Sequence, residues 1–420
     1  MWIALVSVAL TLFVVWLVLT LNVGETRIDQ RVQREYEAAD PQFRRALGSL
    51  LGPPIVAGNR VDVLKNGEQI FPAMLAAIRA ARRTITFETF IYWSGSIGQE
   101  FADALSERSK AGVRVHVLLD WFGSARMDDS LIETMRSAGV EIKRYHKPHW
   151  SRLPKLNNRT HRKLLVVDGT IGFTGGVGIA DQWRGAARDE DHWRDNHYRI
   201  EGPVVAHLQG VFMSNWIKAT GAVLHGEHYF PALEPRGDLP AQMFSSSPSG
   251  GADSMHLMYL MTVTAAASSI DLSTPYFVPD DLATKALVEA ARRGVRVRVI
   301  VPSQRTDSPV VRRASRARWG PLLAAGIEIH EFQPTMLHNK MLVVDRLLAS
   351  IGSTNFDNRS FALNDEANLN VLDTGLAGQL AAIFEDDLQR AERVTLEAWQ
   401  NRPWREKMIE RAASLLGAQL

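Results

Sequence analysis

The sequence predicts an α/β protein. It has two similar lobes, each a mixed β-sheet flanked by helices, related by a pseudo-two-fold axis and preceded by an N-terminal transmembrane helix. Three observations predict this. Strand-like and helix-like segments alternate through most of the chain. Nearly the same nine residues occur twice, as HRKLLVVDG from His161 and as HNKMLVVDR from His338. Trp2 to Val23 is an uncharged, largely apolar run.

That run is long enough for a hydrocarbon core of about 30 Å at about 1.5 Å per residue. No Lys or Arg precedes it and Asn22-Val23-Gly24-Glu25 is a poor cleavage site, so residues 1–24 read as a single-pass anchor rather than a signal peptide. Arg27, Arg31 and Arg34 follow, and the positive-inside rule then favours a cytoplasmic body. Residues 25–60 contain the helix stop Gly52-Pro53-Pro54 and read as a juxtamembrane helix and linker.

The first lobe, 61–240, opens with a strand in RTITFETFIYW (83–93). A helix ending at Gly112, the strand VRVHVLLD (113–120), a helix ending at Gly139 and the strand VEIKRY (140–145) follow. The second lobe, 241–400, repeats the plan. SSIDLSTPYF (268–277), a helix over 281–294, VRVRVIVP (295–302) and PLLAAGIEIHEF (321–332) answer those segments in turn. Residues 401–420 read as an amphipathic helix. Trp404, Met408, Ile409, Ala412, Leu415 and Leu416 share one face, which core packing explains most simply and a membrane interface alternatively.

Composition narrows the function. At 420 residues and 46% hydrophobic content the chain can bury a large core. A net charge of +2 argues against a nucleic-acid partner, which selects a strongly basic surface. The absence of cysteine excludes thiolate metal sites and disulfides.

The duplicated stretch carries the chemistry. His161, Lys163 and Asp168 recur as His338, Lys340 and Asp345, each displaced by 177 residues (338 − 161, 340 − 163, 345 − 168). The apolar residues between Lys and Asp read as a short buried strand with the polar pair at its mouth. Architecture alone explains a repeated fold unit, but not why polar residues recur at the strand mouth. Two histidines can serve as nucleophile and proton donor near neutral pH, and two lysines as point charges on a phosphate. Each motif is half a site, so the lobes must meet to complete it. Asp168 and Asp345 complete the candidate catalytic set, but lie a strand length from the His and Lys, where a structural role fits better. Asp195 and Glu366 are candidates for orienting the imidazoles, each placed 28 to 34 residues after its own lobe's histidine (366 − 338, 195 − 161).

With FETFIYW, NRTHRKLLVVDG, STPYFVPD, HNKMLVVD, GSTNFDNRSF and NDEANLNV, the chain resembles the phospholipase D superfamily over roughly residues 60 to 400. It is most similar to the bacterial cardiolipin synthases. The resemblance implies a phosphatidyltransferase joining two phosphatidylglycerols with release of glycerol, at a bacterial inner membrane. It implies that His161 attacks phosphorus, that His338 handles the proton, and that Lys163 and Lys340 hold the phosphoryl oxygens. Asn355 and Ser353 would add hydrogen bonds, and neither metal nor other cofactor is needed. A hydrolytic phospholipase D is the neighbouring alternative. A nuclease-type phosphodiesterase and a catalytically silent lipid-binding protein are alternatives of other classes.

The first motif departs from the pattern: Gly175-Gly176-Val177-Gly178 stands opposite Gly352-Ser353-Thr354-Asn355. Gly178 carries no side chain for the asparagine's role, while backbone amides around Gly176 could substitute. The glycines also suggest open space beside His161. Glu88 and Tyr276, on matching first strands, are candidate substrate-lining residues. His146 and His149 near Trp150 read as a mouth loop or simple surface, 245–251 as a flexible loop, and 189–192 as a solvated acidic loop rather than a metal site.

Overall fold

The computed structural model describes residues 2–22, 28, 30–147, 157–248 and 254–415. His149, Trp150, residues 249–251 and Leu416 lie outside the described residues.

The first half contributes β1 (Val56–Lys65), β2 (Thr84–Thr89), β3 (Arg114–Asp120), β4 (Glu141–Tyr145), β5 (Arg159–Thr160), β6 (Leu164–Val167), β7 (Ile171–Gly175) and β8 (Asn196–Glu201). The second contributes β9 (Leu239–Ser246), β10 (Ser269–Ser273), β11 (Phe277–Val278), β12 (Arg296–Pro302), β13 (Glu328–Phe332) and β14 (Met341–Val344). It continues with β15 (Leu348–Gly352), β16 (Phe356–Asp357), β17 (Asn364–Leu372) and β18 (Ala391–Val394). Outward from the centre the first half runs β1-β8-β7-β6-β2-β3-β4, and the second β9-β17-β15-β14-β10-β12-β13-β18. The order is the same apart from the added edge strand β18.

The halves do not form two separate sheets, as the sequence suggested. They form one mixed sheet of 16 strands with flanking helices. The physical reason is β1. Its register shifts between Val56 and Asn59, so its start pairs antiparallel with β9 while Arg60–Lys65 pairs antiparallel with β8. An antiparallel junction between like strands is the relation that a two-fold axis produces.

The short motif strands β6 and β14 are buried along their whole length. This is why they read as unbroken apolar runs rather than alternating ones. One hydrophobic cluster draws on both halves, with Leu164, Tyr198 and Phe212 beside Met341, Leu369 and Phe384. It cements the junction.

Two other segments differ from their reading. Residues 25–60 hold a helix, as read, over Pro41–Leu50, but its Phe43 and Leu47 are fully buried in the second half's core, and the segment runs into the start of β1. Ser245 and Ser246 of the supposed flexible loop close β9.

The C-terminal helix Trp404–Ser414 inverts its expected packing. Trp404 is 70% exposed and Met408 62%, with Ile409 also exposed. Glu410 faces inward instead, bridging Arg316 at 3.1 Å and Arg402 at 2.7 Å. The paired arginines make an acidic contact preferable on that side, and the apolar face is left outward. At the other end, Trp2–Asn22 is one helix with no charged residue. Among the described residues no helix is long and apolar enough to cross a membrane.

Candidate functional site

Each histidine stands at the foot of its motif strand, where the chain crosses to the other half. β5 pairs parallel with the start of β17, and the His161 amide donates to Asp365 O at 2.9 Å. In mirror fashion Leu337 bridges Arg194, and the His338 amide donates to Arg194 O at 2.7 Å. The residue after each accepting carbonyl is an acid, Glu366 and Asp195. His161 Nδ1 lies 3.0 Å from Glu366 Oε1, and His338 Nδ1 lies 2.7 Å from Asp195 Oδ2.

The acids therefore exchange. Asp195 serves His338 and Glu366 serves His161, not the histidine of the same half as spacing suggested. The backbone crossing explains the exchange, because it places each acid one residue beyond the opposite histidine's hydrogen-bond partner. Carboxylates only accept, so each Nδ1 carries the proton and each Nε2 is left with its lone pair.

Both lysines fold back onto their own histidine's carbonyl, and Lys340 Nζ also lies 3.1 Å from His338 Nε2. Lys163 Nζ donates to His161 O at 2.7 Å and Lys340 Nζ to His338 O at 2.6 Å. Burial lowers His161 to about 4, with Glu366 opposing and Lys163 reinforcing. Burial, Lys340 and Lys163 hold His338 well below the ordinary imidazole range. Burial and the facing Lys340 bring Lys163 down to about 7. Burial brings Lys340 down to about 8 against the pull of Asp195 and Asp307. The acids behave differently. Burial opposes ionisation of Glu366, but His161 and Lys163 outweigh it and hold the carboxyl below its usual range. Burial pushes Asp195 up despite Lys340 and Trp183.

The unequal turns have a steric cause. Ser353 Oγ donates to Glu366 Oε2 at 2.5 Å, and Asn364 Nδ2 adds a 3.2 Å bond to Oε1. At Gly176, which aligns with Ser353, a Cβ would lie 2.1 Å from Asp195 Oδ1. At Gly178, aligned with Asn355, a Cβ would lie 2.7 Å from Ile91 Cβ. Asp195 is instead held by the Trp183 indole N–H at 2.9 Å and the Asn196 amide at 2.8 Å. The glycine turn thus packs behind the acid of His338. It does not open space beside His161, a correction to the sequence reading.

The remaining candidates separate cleanly. Asp168 takes the amides of Arg82, Arg83 and Thr84, and Asp345 those of Ala267, Ser268 and Ser269. Both sit at the far ends of β6 and β14 and pin the starts of β2 and β10, away from the reacting groups. Glu88 is completely buried and does not line the cavity. Its Oε1 accepts from Thr160 Oγ1 at 2.5 Å and Asn215 Nδ2 at 2.8 Å, which braces the residue before His161. Tyr276 lines the cavity and donates to Asp307 Oδ2 at 2.7 Å. His146 is not simple surface, since its Nε2 lies 2.9 Å from Asp365 Oδ2 across the halves. The 189–192 loop brings Asp189 Oδ1 2.6 Å from His192 Nδ1, and its His192 O accepts from Thr335 Oγ1 of the other half at 2.8 Å.

His161, Lys163, His338 and Asn355 open onto one cavity of about 640 Å³, with Arg159 and Arg359 in its wall. Sequence reasoning missed both arginines, and also Trp183, Arg162 and Arg194. Arg162 is buried between His161 and Lys163. It points across the junction, where its guanidinium bonds Ser246 O and Glu366 O. Only the charged Arg162 set inside the first motif, where the second has Asn339, could have signalled such a role.

Two halves that bring a histidine each to one cavity, with a lysine beside each histidine, define the phospholipase D superfamily of phosphodiester-handling proteins. The model of the family described as cardiolipin synthase, phospholipase D-like domain, matches residues 74–216 and 259–388. A cardiolipin synthase of Geobacillus kaustophilus is 36% identical over 373 residues, covering 87% of this chain and 74% of that one. Cardiolipin synthase 2 of Bacillus anthracis is 34% identical over 402 residues, covering 94% and 77%. Among solved structures, the phosphatidylserine synthase of Haemophilus influenzae superposes with a TM-score of 0.67 at 14% identity. It covers 90% of this chain and all of that one, a likeness of fold. The chain belongs to the phospholipase D-like cardiolipin synthase family.

Proposed function

We propose that the protein is a membrane-associated cardiolipin synthase that moves a phosphatidyl group from one phosphatidylglycerol to the terminal hydroxyl of another. The observation that carries this reading is the crossed pair of His–carboxylate contacts at one cavity, with a lysine beside each histidine. In the first step His161 Nε2 attacks phosphorus, the bond from phosphorus to the glycerol oxygen breaks, and His338 Nε2 delivers the proton that glycerol leaves with. In the second, the acceptor hydroxyl gives its proton to His338 and its oxygen replaces the histidine on phosphorus. Lys163 and Lys340 balance the charge of the phosphoryl oxygens.

Assignment of the nucleophile to His161 has support beyond family resemblance. Glu366 lies below its usual range and can neutralise the positive ring of a phosphohistidine, whereas Asp195 is pushed up. Both imidazoles are held neutral partly by the lysines. An arriving phosphodiester offsets those charges and lets His338 take up the proton it must deliver.

Membrane association draws support from both ends. The helix Trp2–Asn22 is uncharged, and its described apolar side chains are exposed all round, as lipid contact favours. Counting all its residues, it has the length of a bilayer core. We place it in the bacterial inner membrane, with the arginines that follow favouring a cytoplasmic body.

The test incubates the full-length protein with phosphatidylglycerol and measures cardiolipin and glycerol by mass spectrometry, then quenches and maps phosphopeptides. Equal amounts of the two products and a phosphatidyl label on the His161 peptide are expected. Phosphatidic acid as the main product would make it a hydrolase, and label on the His338 peptide would reverse the two roles.

A further inference from the structure

The chemistry above needs positive charge at one phosphorus, and Lys163 and Lys340 supply it. The cavity nevertheless holds a second cationic group. Arg159 and Arg359 line the same cavity, and Arg126, also lining it, lies over the Trp93 ring, 4.5 Å from its centroid. Arg159 is stacked 4.7 Å from the Phe122 centroid and donates to Asn158 O at 2.7 Å. Arg359 is fixed by Asn157, donating to its Oδ1 at 3.0 Å and its O at 2.8 Å. These anchors aim the guanidinium groups, and burial lowers Arg359 while Asp357, Asp120 and Glu366 support its charge.

The two arginines are close enough to repel. Burial lowers Arg159, Asp120 opposes, and Arg359 lowers it further. Two carboxyl groups line the same cavity and bear on any anion there. Asp307 is pushed up by burial and takes the Tyr276 hydroxyl. Asp357 is pushed up to about 6 by burial and takes the Ser360 amide.

The spacing along the chain suits a second phosphate. Arg159 and His161 are two residues apart along an extended segment paired with β17, so their side chains share a side, about 6.6 Å apart along the strand. In a molecule that joins two phosphates through one glycerol, six single bonds separate the phosphorus atoms. Six bonds is also two residues of extended backbone, about 7 Å.

We propose that Arg159 and Arg359 form a second phosphate subsite. It binds the phosphodiester of the acceptor lipid while its terminal hydroxyl reaches the phosphorus on His161. This rests on the phosphatidyl-transfer reading of the site and adds a basis for selecting an anionic acceptor over a neutral alcohol. Guanidinium groups suit this task because they present planar paired donors to phosphate oxygens.

The experiment compares two acceptors with one donor. Full-length protein in mixed micelles of detergent and phosphatidylglycerol is supplied with labelled glycerol. Cardiolipin formation reports transfer to a charged acceptor, and label entering phosphatidylglycerol reports transfer to a neutral one. In Arg159→Gln and Arg359→Gln the ratio of cardiolipin to exchanged glycerol should fall by about tenfold or more, the loss of a charge-assisted contact. Arg159→Lys should restore part of it. An unchanged ratio overturns the subsite, whether both rates fall together, as a purely structural role requires, or neither falls. If wild-type protein exchanges glycerol but makes no cardiolipin, the subsite fails while phosphatidyl transfer stands. If it does neither, the underlying reading fails and the subsite with it.

Discussion

At the scale of single residues, the site works through burial acting against charge. His161 lies near 4 and the lysines near 7 and 8, so between these limits the imidazole is neutral while the ammonium groups are charged. A neutral nucleophile is lost as pH falls through the first value, and phosphate-binding charge is lost as pH rises through the others. We expect kcat/KM to follow a bell, with its acid limb near about 4 and its alkaline limb between about 7 and 8. Initial rates on phosphatidylglycerol micelles from pH 4 to 10 check this. A plateau that persists to pH 10 would mean the lysines keep ordinary values. Gly176 shows how sharply one atom matters here, because its missing Cβ is the space that the Asp195 carboxylate occupies.

Among the elements, the C-terminal helix departs most from its sequence pattern. Periodicity correctly marks an apolar face, but it does not say which way that face points. The helix's inner side follows from Glu410 bonding Arg316, which belongs to the helix Pro309–Ala317. Val311 of that same helix lines the catalytic cavity. The exposed Trp404, Met408 and Ile409 thus sit one helix away from the site, where contact with a lipid surface would hold the cavity near its substrate. In protein lacking residues 1–24, replacing all three with serine should weaken binding to phosphatidylglycerol vesicles by about tenfold or more, given roughly 1.5–3 kcal/mol per fully buried large apolar side chain. Vesicle flotation measures the binding, and an unchanged melting temperature shows that the fold is intact. Undiminished flotation would assign that face another role.

Across the whole molecule, catalysis and cohesion share one seam. Arg194 carries the carbonyl that holds the His338 amide, and its guanidinium forms a bidentate pair with Asp387 at 2.8 and 2.9 Å, both residues fully buried. Removing one partner leaves an uncompensated buried charge. We expect Asp387→Ala to destabilise the protein by about 3–5 kcal/mol, read by urea unfolding, and to slow turnover as the His338 support loosens. Native stability with native turnover would show that the seam is held elsewhere.

Much of this was legible in the residues. Alternating strand and helix patterns, the apolar cores of β6 and β14 and the constant displacement of the two motifs follow from local periodicity and composition, which a chain carries wherever it folds. The four His and Lys positions were legible because duplication marks them twice. The pairing of Asp195 with His338, the continuous sheet made by the register shift in β1, and the arginines grouped at one cavity were decided only by the tertiary structure. Each depends on which segments meet across the junction. Sequence distance is silent there, because two residues 205 positions apart, His161 and Glu366, become hydrogen-bond partners only when the two halves close on each other.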